Sequence, residues 1–374
     1  MRGIAILAIM LHNYCHFNGK IVQENEYQFL SFNNDRLWQV LSSPTELLPV
    51  HLLSFFGHYG VPVFLFLSGF GLVRKYETSP NLPKGEEALR TEGARQALPS
   101  FGGVGGGFIL YHYLKLFRML IVGFSIFLVV DAVTPGRFAF HWENVIAQLL
   151  MYINVLPEPE KIIWPGIYWF FGLMLQLYIV YRLLLYRRSS WIVVGLIIIC
   201  WLLQVFCEPD GETINRLRYN CIGGMLPFGL GLLLARISLR ESRLSHGVGQ
   251  LVPWGGTISP MGWDIFWAVT LLLASLLVFV MGFNFYTWLW IPVVIIMGTI
   301  ALVKLMPKRV LKLFVWFGSI SAAMFVAHPI VRKIFITVAW KQDIYDGLML
   351  YVVVTIAFSW AVKLIIDHIP SPKL

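Results

Sequence analysis

The sequence predicts an all-α membrane protein with about ten transmembrane helices. Of the 374 residues, 57% are hydrophobic and only 13% are charged, and the mean hydropathy is +0.70. Apolar runs of about 18 residues or more recur along the chain. A helix of that length can cross the roughly 30 Å hydrocarbon layer of a membrane. A soluble fold could not bury so much apolar surface. We therefore expect one polytopic domain over residues 1–374, with the lipid bilayer as its first partner.

The predicted spans follow these apolar runs in order. They cover residues 3–18, 52–73, 115–133, 166–186, 190–206, 220–236, 262–281, 285–305, 312–336 and 346–367. A further apolar piece, 143–155, is too short to cross and predicts a re-entrant or interfacial helix. The first run lacks a small-residue cleavage site, so we expect it to remain as a span and not to be removed as a signal peptide.

The distribution of charge predicts the orientation of the chain. A net charge of +9 could indicate nucleic-acid binding, but the positive-inside rule explains it without a nucleic-acid partner. Most basic residues flank alternate spans, and with both termini inside they fall on the cytoplasmic side. Acidic residues such as Glu24, Glu26 and Glu160 then mark the outer side. The sequence does not specify an oligomeric state.

Two long loops separate the first three spans. Residues 19–50 form an outer loop that is rich in aromatic residues. Residues 76–114 form an inner loop that ends in a glycine-rich run, 102–107, and we predict a flexible linker there. The run is not followed by Lys-Ser/Thr, so it is not a P-loop. Cys207 and Cys221 lie near the predicted outer surface, where they could pair, although free cysteines are the more common outcome. The four cysteines form no metal-binding pattern, and no metal is expected.

The first span carries two ionisable residues, Arg2 and His12, about 15 Å apart along one helix. Ionisable groups at membrane depth are costly, so each one indicates a functional site. An imidazole can take and return a proton near neutral pH, which makes His12 a candidate general base. A hydrogen-bonded structural histidine would fit the same position. His16, one turn further along, is an alternative base.

Basic residues also collect near the predicted inner surface. Arg74 ends the second span, and Lys115 and Arg118 lie on one face of the third because they are three residues apart. With Arg2 they predict a basic mouth suited to phosphate groups, although topology signals alone would also explain them.

Other polar residues inside spans are candidates for binding substrate or stabilising an oxyanion. Ser68 follows Pro62 in the second span, and Gln176 and Tyr178 lie in the middle of the fourth. His328 precedes Pro329 in the ninth span. Each needs a hydrogen-bond partner at membrane depth.

These pieces, in this order, resemble the acyltransferase-three family of integral membrane O-acyltransferases. The matching segments are Arg2-Gly-Ile-Ala-Ile-Leu with His12, Val63-Phe-Leu-Phe-Leu-Ser-Gly-Phe70, Lys115-Leu-Phe-Arg118, Trp169 through Tyr178, Phe228 through Arg236, and Gly318-Ser-Ile-Ser321 with His328-Pro329. The resemblance implies transfer of an acyl group, usually acetyl, from cytoplasmic acyl-CoA. The implied acceptor is a hydroxyl of a cell-envelope glycan, a lipid-linked sugar or a related molecule, and the implied location is the bacterial inner membrane.

The resemblance also assigns roles to particular residues. The family's first-helix arginine and histidine correspond to Arg2 and His12, and its later basic residues to Arg74 and Arg118. Acyl-CoA would be a co-substrate and not a bound cofactor. Members of the family carry several residues before this arginine, whereas only Met1 precedes Arg2 here.

The leading hypothesis is therefore an acyl-CoA-dependent acyltransferase in which His12 deprotonates the acceptor. Arg2, Arg74, Lys115 and Arg118 would bind acyl-CoA. The rival from another class is a transporter or flippase for a glycan or organic anion, with Arg2 and His12 as a relay. A transporter of that kind should neither bind nor hydrolyse acyl-CoA. A different family of membrane acyltransferases with an Asn/His pair fits less well, because the first-helix arginine would then be coincidental.

Overall fold

The computed structural model describes residues 1–16, 19–77, 104–247, 260–339 and 343–372, and no β-strand occurs within these ranges. The helices are α1 (Arg2–Cys15), α2 (Ser31–Ser42), α3 (Leu48–Phe56), α4 (Gly60–Tyr76), α5 (Val104–Val133), α6 (Trp142–Leu149), α7 (Pro159–Ile162), α8 (Trp169–Val180), α9 (Ser190–Val205), α10 (Glu212–Arg218), α11 (Cys221–Gly247), α12 (Pro260–Met281), α13 (Phe285–Trp288), α14 (Ile291–Leu305), α15 (Lys308–Ala339) and α16 (Ile344–His368). Short 3₁₀ turns join α3 to α4 (Gly57–Tyr59) and precede α8 (Gly166–Tyr168).

Over the described residues, each predicted span is largely helical. Seven helical stretches within the described ranges are long and apolar enough to cross a membrane: Leu48–Tyr76, Gly106–Val133, Gly166–Leu185, Cys221–Glu241, Gly262–Met281, Lys308–Phe335 and Ile344–His368. Helices α9 and α14 are apolar but shorter. Helix α1 has 14 residues, or about 21 Å, which is less than the hydrocarbon thickness. The chain is thus a multi-pass membrane protein, while ten crossings and the orientation stay predictions.

Three segments differ in detail from the sequence-based expectation. Helix α5 begins at Val104, so the prediction of a flexible linker is wrong for residues 104–107; residues 78–103 lie outside the described ranges. Packing of Phe108 against Tyr76 and Tyr181 favours the helix and overrides the low helix propensity of glycine.

The predicted span 285–305 is divided into α13 and α14. The Asn284 side chain caps α13 by accepting hydrogen bonds from the backbone of Tyr286 and Thr287, and Pro292 opens α14. The piece 143–155 forms α6 and a 3₁₀ turn, both too short to cross. All four cysteines are free.

Close backbone contacts at glycines hold the bundle together. A Cβ atom on Gly69 of α4 would lie 2.2 Å from the carbonyl oxygen of Phe228, and one on Gly231 of α11 would lie 2.0 Å from that of Phe66. Since real Cβ atoms do not approach that closely, α4 and α11 cross at a distance that only glycine permits.

Helix α1 is enclosed by the same kind of contact. A Cβ on Gly3 would lie 2.1 Å from the Phe314 carbonyl oxygen of α15, and one on Gly60 would lie 2.4 Å from that of Ala5. A Cβ on Gly57 would lie 2.6 Å from the Cβ of His12. Helix α1 therefore lies inside the protein, and its polar residues face other helices.

The α4–α11 crossing gives a matched test. We expect Gly69→Ala to lower the thermal stability of the detergent-solubilised protein, because the added methyl group meets backbone atoms that cannot rotate away. Gly71→Ala is the control on the same helix, since nothing lies within 4 Å of its Cβ position. The measurement is the melting temperature by intrinsic fluorescence. Equal melting temperatures for the two variants would contradict the close crossing.

Candidate active site

Two cavities in the bundle share one pair of phenylalanines in their walls. The His12 cavity has a volume of about 190 Å³ and is lined by residues of α1, the 19–30 loop, residues 160–170 and α15. The Arg2 cavity has a volume of about 250 Å³ and is lined by residues of α1, α4, α5, α8 and α15. Phe170 and Phe325 line both cavities. A further cavity of about 40 Å³ is lined by Arg218 and shares Glu26, Tyr27 and His58 with the His12 cavity.

His12 is held in one orientation by the backbone of α3. Its Nδ1 lies 2.6 Å from the carbonyl oxygen of Ser54, and the residue is only 5% exposed. A carbonyl oxygen only accepts hydrogen bonds, so Nδ1 carries the hydrogen and donates it. In the neutral imidazole Nε2 then has a free lone pair, and it faces Oε1 of Glu24 at 3.7 Å. Nε2 is therefore positioned to accept a proton from a ligand in the cavity.

Glu24 connects His12 with His16. Its Oε2 lies 2.7 Å from Nδ1 of His16, and its side chain is 7% exposed. Burial alone would raise the pKa of Glu24, but the interactions with His12 and His16 outweigh burial and hold the pKa well below its usual value. The carboxylate therefore stays ionised and stabilises positive charge on either imidazole.

The sequence alone identifies Glu24 only as a marker of the outer side. The structure shows that residues 19–30 fold back over α1 and bury this carboxylate against both histidines. A usable signal is present in the sequence: two histidines one turn apart are followed, eight residues after His16, by an acid in the aromatic outer loop. The spacing of these three residues does not by itself show that the loop folds back over α1.

Arg332 is a second residue that sequence reasoning missed. It lies near the end of α15, is 3% exposed and lines the His12 cavity. Its Nη1 donates to the backbone oxygen and to Oδ1 of Asn13, at 3.3 Å and 3.1 Å. His58 lies on the same side, with its ring centroid 5.7 Å from that of His12. The cavity thus combines imidazoles, a buried guanidinium and carboxylates.

Aromatic rings and two further carboxyl groups form the rest of the His12 cavity. Tyr27 stacks on Tyr219 at 3.9 Å and meets the edge of Trp169 at 5.5 Å. Burial, and then the charge of Glu24, raise the pKa of Glu26 well above its usual value. Burial also raises the pKa of Glu160, which accepts a hydrogen bond from the Tyr219 hydroxyl. Such groups suit a ligand that is rich in hydroxyl groups.

The Arg2 cavity brings together four of the residues that the sequence singled out. Arg2 and Lys115 contribute cations, and the Ser68 hydroxyl donates to the Tyr178 hydroxyl at 3.3 Å. His112 lies against Tyr178, with ring centroids 4.3 Å apart. This cavity therefore offers positive charge beside hydroxyl donors.

The other predicted site residues lie outside the walls of these two cavities. Arg118 donates to the carbonyl oxygen of Ile369 and to the Ser371 hydroxyl, and Arg74 is exposed near the end of α4. Gln176 donates to Asn220 and accepts from the backbone of Cys221, so it joins α8 to α11. His328 donates to the Met324 carbonyl oxygen, and its ring lies 6.1 Å from that of Phe325.

The histidine cluster also has the compactness of a cation site. The ligand atoms of His12, His16 and Glu24 all lie within 4.8 Å of one another. Two imidazoles and a carboxylate are ligands that Zn²⁺ accepts in proteins. A direct hydrogen bond already joins His16 to Glu24. The absence of a metal requirement stays a prediction.

The fold and the site define a polytopic helical membrane protein with an acid–base cluster enclosed between its helices. Residues 1–364 match the family model of the acyltransferase-three family, described as an acyltransferase domain, and the chain belongs to this family. The resemblance noted in the sequence is thereby confirmed, and it favours an acyltransferase over a transporter. No curated protein and no solved structure matches the chain.

The raised pKa of Glu26 predicts how stability depends on pH. The unfolded chain loses this proton first, near pH 4.5, so the folded state loses stability as the pH rises from there through the higher folded pKa. Each unit by which the pKa in the folded state exceeds that in the unfolded chain corresponds to about 1.4 kcal/mol of folding stability lost at high pH. Glu26→Gln has no proton to lose, and we expect its melting temperature to exceed that of the wild type by an amount that grows between pH 5 and pH 8. The exposed Glu46→Gln is the control, and a pH-independent difference would contradict the assignment.

Proposed function

We propose that this membrane acyltransferase moves an acyl group, typically acetyl, from cytoplasmic acyl-CoA to a hydroxyl of a cell-envelope glycan or related acceptor. One observation carries the proposal: Nε2 of His12 faces a cavity beside an ionised carboxylate, and that cavity shares Phe170 and Phe325 with a cationic one. A proton acceptor and a phosphate-attracting surface thus lie on two sides of one reaction point.

The Arg2 cavity is the proposed donor site. Arg2 and Lys115 supply charge for the phosphates of CoA, and Met119 and Met174 give the apolar surface that a pantetheine arm would contact. Arg118 lies one turn beyond Lys115 on α5 and adds to the positive potential at this end of the bundle, as does Arg74 on α4. The thioester would then point towards Phe170 and Phe325.

The His12 cavity is the proposed acceptor site. A hydroxyl group against Nε2 of His12 would give its proton to the imidazole as its oxygen attacks the thioester carbon. The ester C–O bond forms, the C–S bond breaks, and the CoA thiolate takes the proton back from the imidazolium. The Ser54 carbonyl keeps the reactive nitrogen free, and Glu24 stabilises the imidazolium.

The geometry favours His12 over His16 as the base. His16 is more exposed, at 28% of its side chain, and its Nδ1 is hydrogen-bonded to Glu24. His12 lies deeper on α1, closer along the helix to Arg2. Ser68 and Tyr178, on the donor side, are the hydroxyl groups best placed to donate to the thioester oxygen as negative charge develops.

The proposed location is the bacterial inner membrane, with the Arg2 cavity open to the cytoplasm. The support is the positive charge at that end of the bundle. Arg2 and Lys115 line the cavity, and Arg118 lies one turn beyond Lys115 on α5. The positive-inside rule places such a cluster on the cytoplasmic side. In this orientation the Arg2 cavity would take acyl-CoA from the cytoplasm, and the His12 cavity would face the outer side of the membrane.

His12→Ala tests the base directly. We expect transfer by the purified, reconstituted protein to fall by about 10² or more, because general base catalysis typically contributes on the order of 10²–10⁴. Binding of acetyl-CoA, measured by isothermal titration, should persist. His368→Ala is the control, since His368 is exposed at the end of α16. Near-normal turnover by His12→Ala would refute the mechanism.

Glu24→Gln tests the carboxylate that faces the base. We expect a lower kcat with little change in KM for the donor, and an acidic limb of the pH–rate profile that moves to lower pH, because the imidazolium loses its counter-charge. Glu158→Gln is the control: that side chain is 60% exposed and pairs with Lys161. If Glu24→Gln lowered the melting temperature but left the pH profile in place, Glu24 would have a structural role alone.

A further inference from the structure

We propose that Phe170 and Phe325 form an aromatic partition at which the acyl group is transferred, and that the bulk of these two rings limits the length of the acyl chain. The identity of the ligand rests on the proposed function. The partition itself rests on the position of the two rings between the cavities.

The two rings come from different helices and meet at the boundary. Phe170 lies on α8 and Phe325 on α15, with ring centroids 5.3 Å apart. Both residues are partly exposed, whereas Phe171 is 2% and Val326 0% exposed. Both rings line both cavities, so a ligand that bridges the cavities would contact them.

The backbone behind the partition is firmly connected. The Tyr168 hydroxyl donates to the carbonyl oxygen of Val326 at 2.7 Å and links the start of α8 to α15 next to Phe325. A Cβ on Gly123 of α5 would lie 2.4 Å from the same hydroxyl oxygen, so a third helix packs against this link. Space at the partition can therefore change mainly through the two phenylalanine side chains, since the helices cannot separate without breaking buried contacts.

The charges on either side determine which part of the donor reaches the partition. Arg2 and Lys115 would bind the phosphates in the Arg2 cavity, whereas His12 lines the other cavity. The thioester carbonyl must then lie at the rings when the hydroxyl attacks. The carbon atoms of the acyl chain beyond that carbonyl would also lie against the two rings.

An acyl group longer than acetyl would have to displace one of the rings. One additional methylene in a well-fitted apolar pocket changes discrimination by roughly 10-fold to 200-fold. The partition therefore selects acetyl over longer chains, and removal of a ring should relax the selection without removing the base or the cations.

The experiment compares acyl-CoA chain lengths in single-site variants. Reconstituted wild type, Phe170→Ala and Phe325→Ala would be assayed with acetyl-CoA and butyryl-CoA on one acceptor preparation. We expect the ratio of kcat/KM for butyryl-CoA to that for acetyl-CoA to rise at least about tenfold in each variant. Phe64→Ala is the matched control, because Phe64 is partly buried and lines the Arg2 cavity alone.

The outcomes separate this inference from the proposed function. An unchanged ratio in both partition variants, or an equal rise in Phe64→Ala, would overturn the partition while acyl transfer itself stands. Failure of the wild type to bind or use any acyl-CoA would refute the proposed function, and the partition with it. Phe325→Leu, which retains an apolar side chain, provides a milder variant, and size-exclusion profiles confirm folding. A shift with Phe325→Leu in the same direction as with Phe325→Ala would support the partition.

Discussion

The enclosure of α1 is the constraint on which the rest of the structure depends. This helix carries Arg2, His12 and Asn13 at membrane depth, where exposure of polar groups to lipid is costly. The protein meets the cost by surrounding α1 with α3, α4, α15 and α16, at distances that Gly3, Gly57 and Gly60 make possible. The same enclosure creates both cavities, because helices that pack around a polar helix leave space where its side chains point inward.

Glycine contacts also explain why the His12 imidazole is held in one orientation. Gly57 lies directly against the Cβ of His12, so α3 and the following 3₁₀ turn approach α1 closely enough for the Ser54 carbonyl to reach Nδ1. A larger residue at position 57 would push this carbonyl away. The tautomer of His12 is thus a consequence of helix packing, and the chemical role of the residue follows from a contact between two backbones.

The loop of residues 19–30 and helix α7 complete the site by supplying carboxyl groups of two kinds. The pKa of Glu24 is lowered by its histidine partners, whereas burial raises the pKa of Glu26 and of Glu160. One ionised group therefore lies beside groups that tend to keep their protons. Environments that push neighbouring carboxyl pKa values apart allow one group to stabilise charge while others donate hydrogen bonds.

The sequence predicted the helices and several residues of the Arg2 cavity well, and the surroundings of His12 poorly. Apolar runs determine where helices form in a membrane, and Arg2, Ser68, Lys115 and Tyr178 converge because all four lie on predicted spans. Ser54 acts through its backbone oxygen, which no side-chain pattern reveals. Glu24 reaches His12 through a loop whose course depends on long-range contacts.

Phe170 and Phe325 escaped prediction for a different reason. In a membrane protein rich in phenylalanine, two more aromatic residues on apolar helices carry no distinguishing signal, and their role comes from a meeting of α8 with α15 that sequence separation hides. Their position has a physical consequence for an enzyme that works across a bilayer. A continuous polar path between the cavities would let water reach a thioester and would let ions pass. In the proposed mechanism, an apolar partition would keep the charged phosphates on one side and the base on the other, and only a small neutral acyl group would have to cross between them.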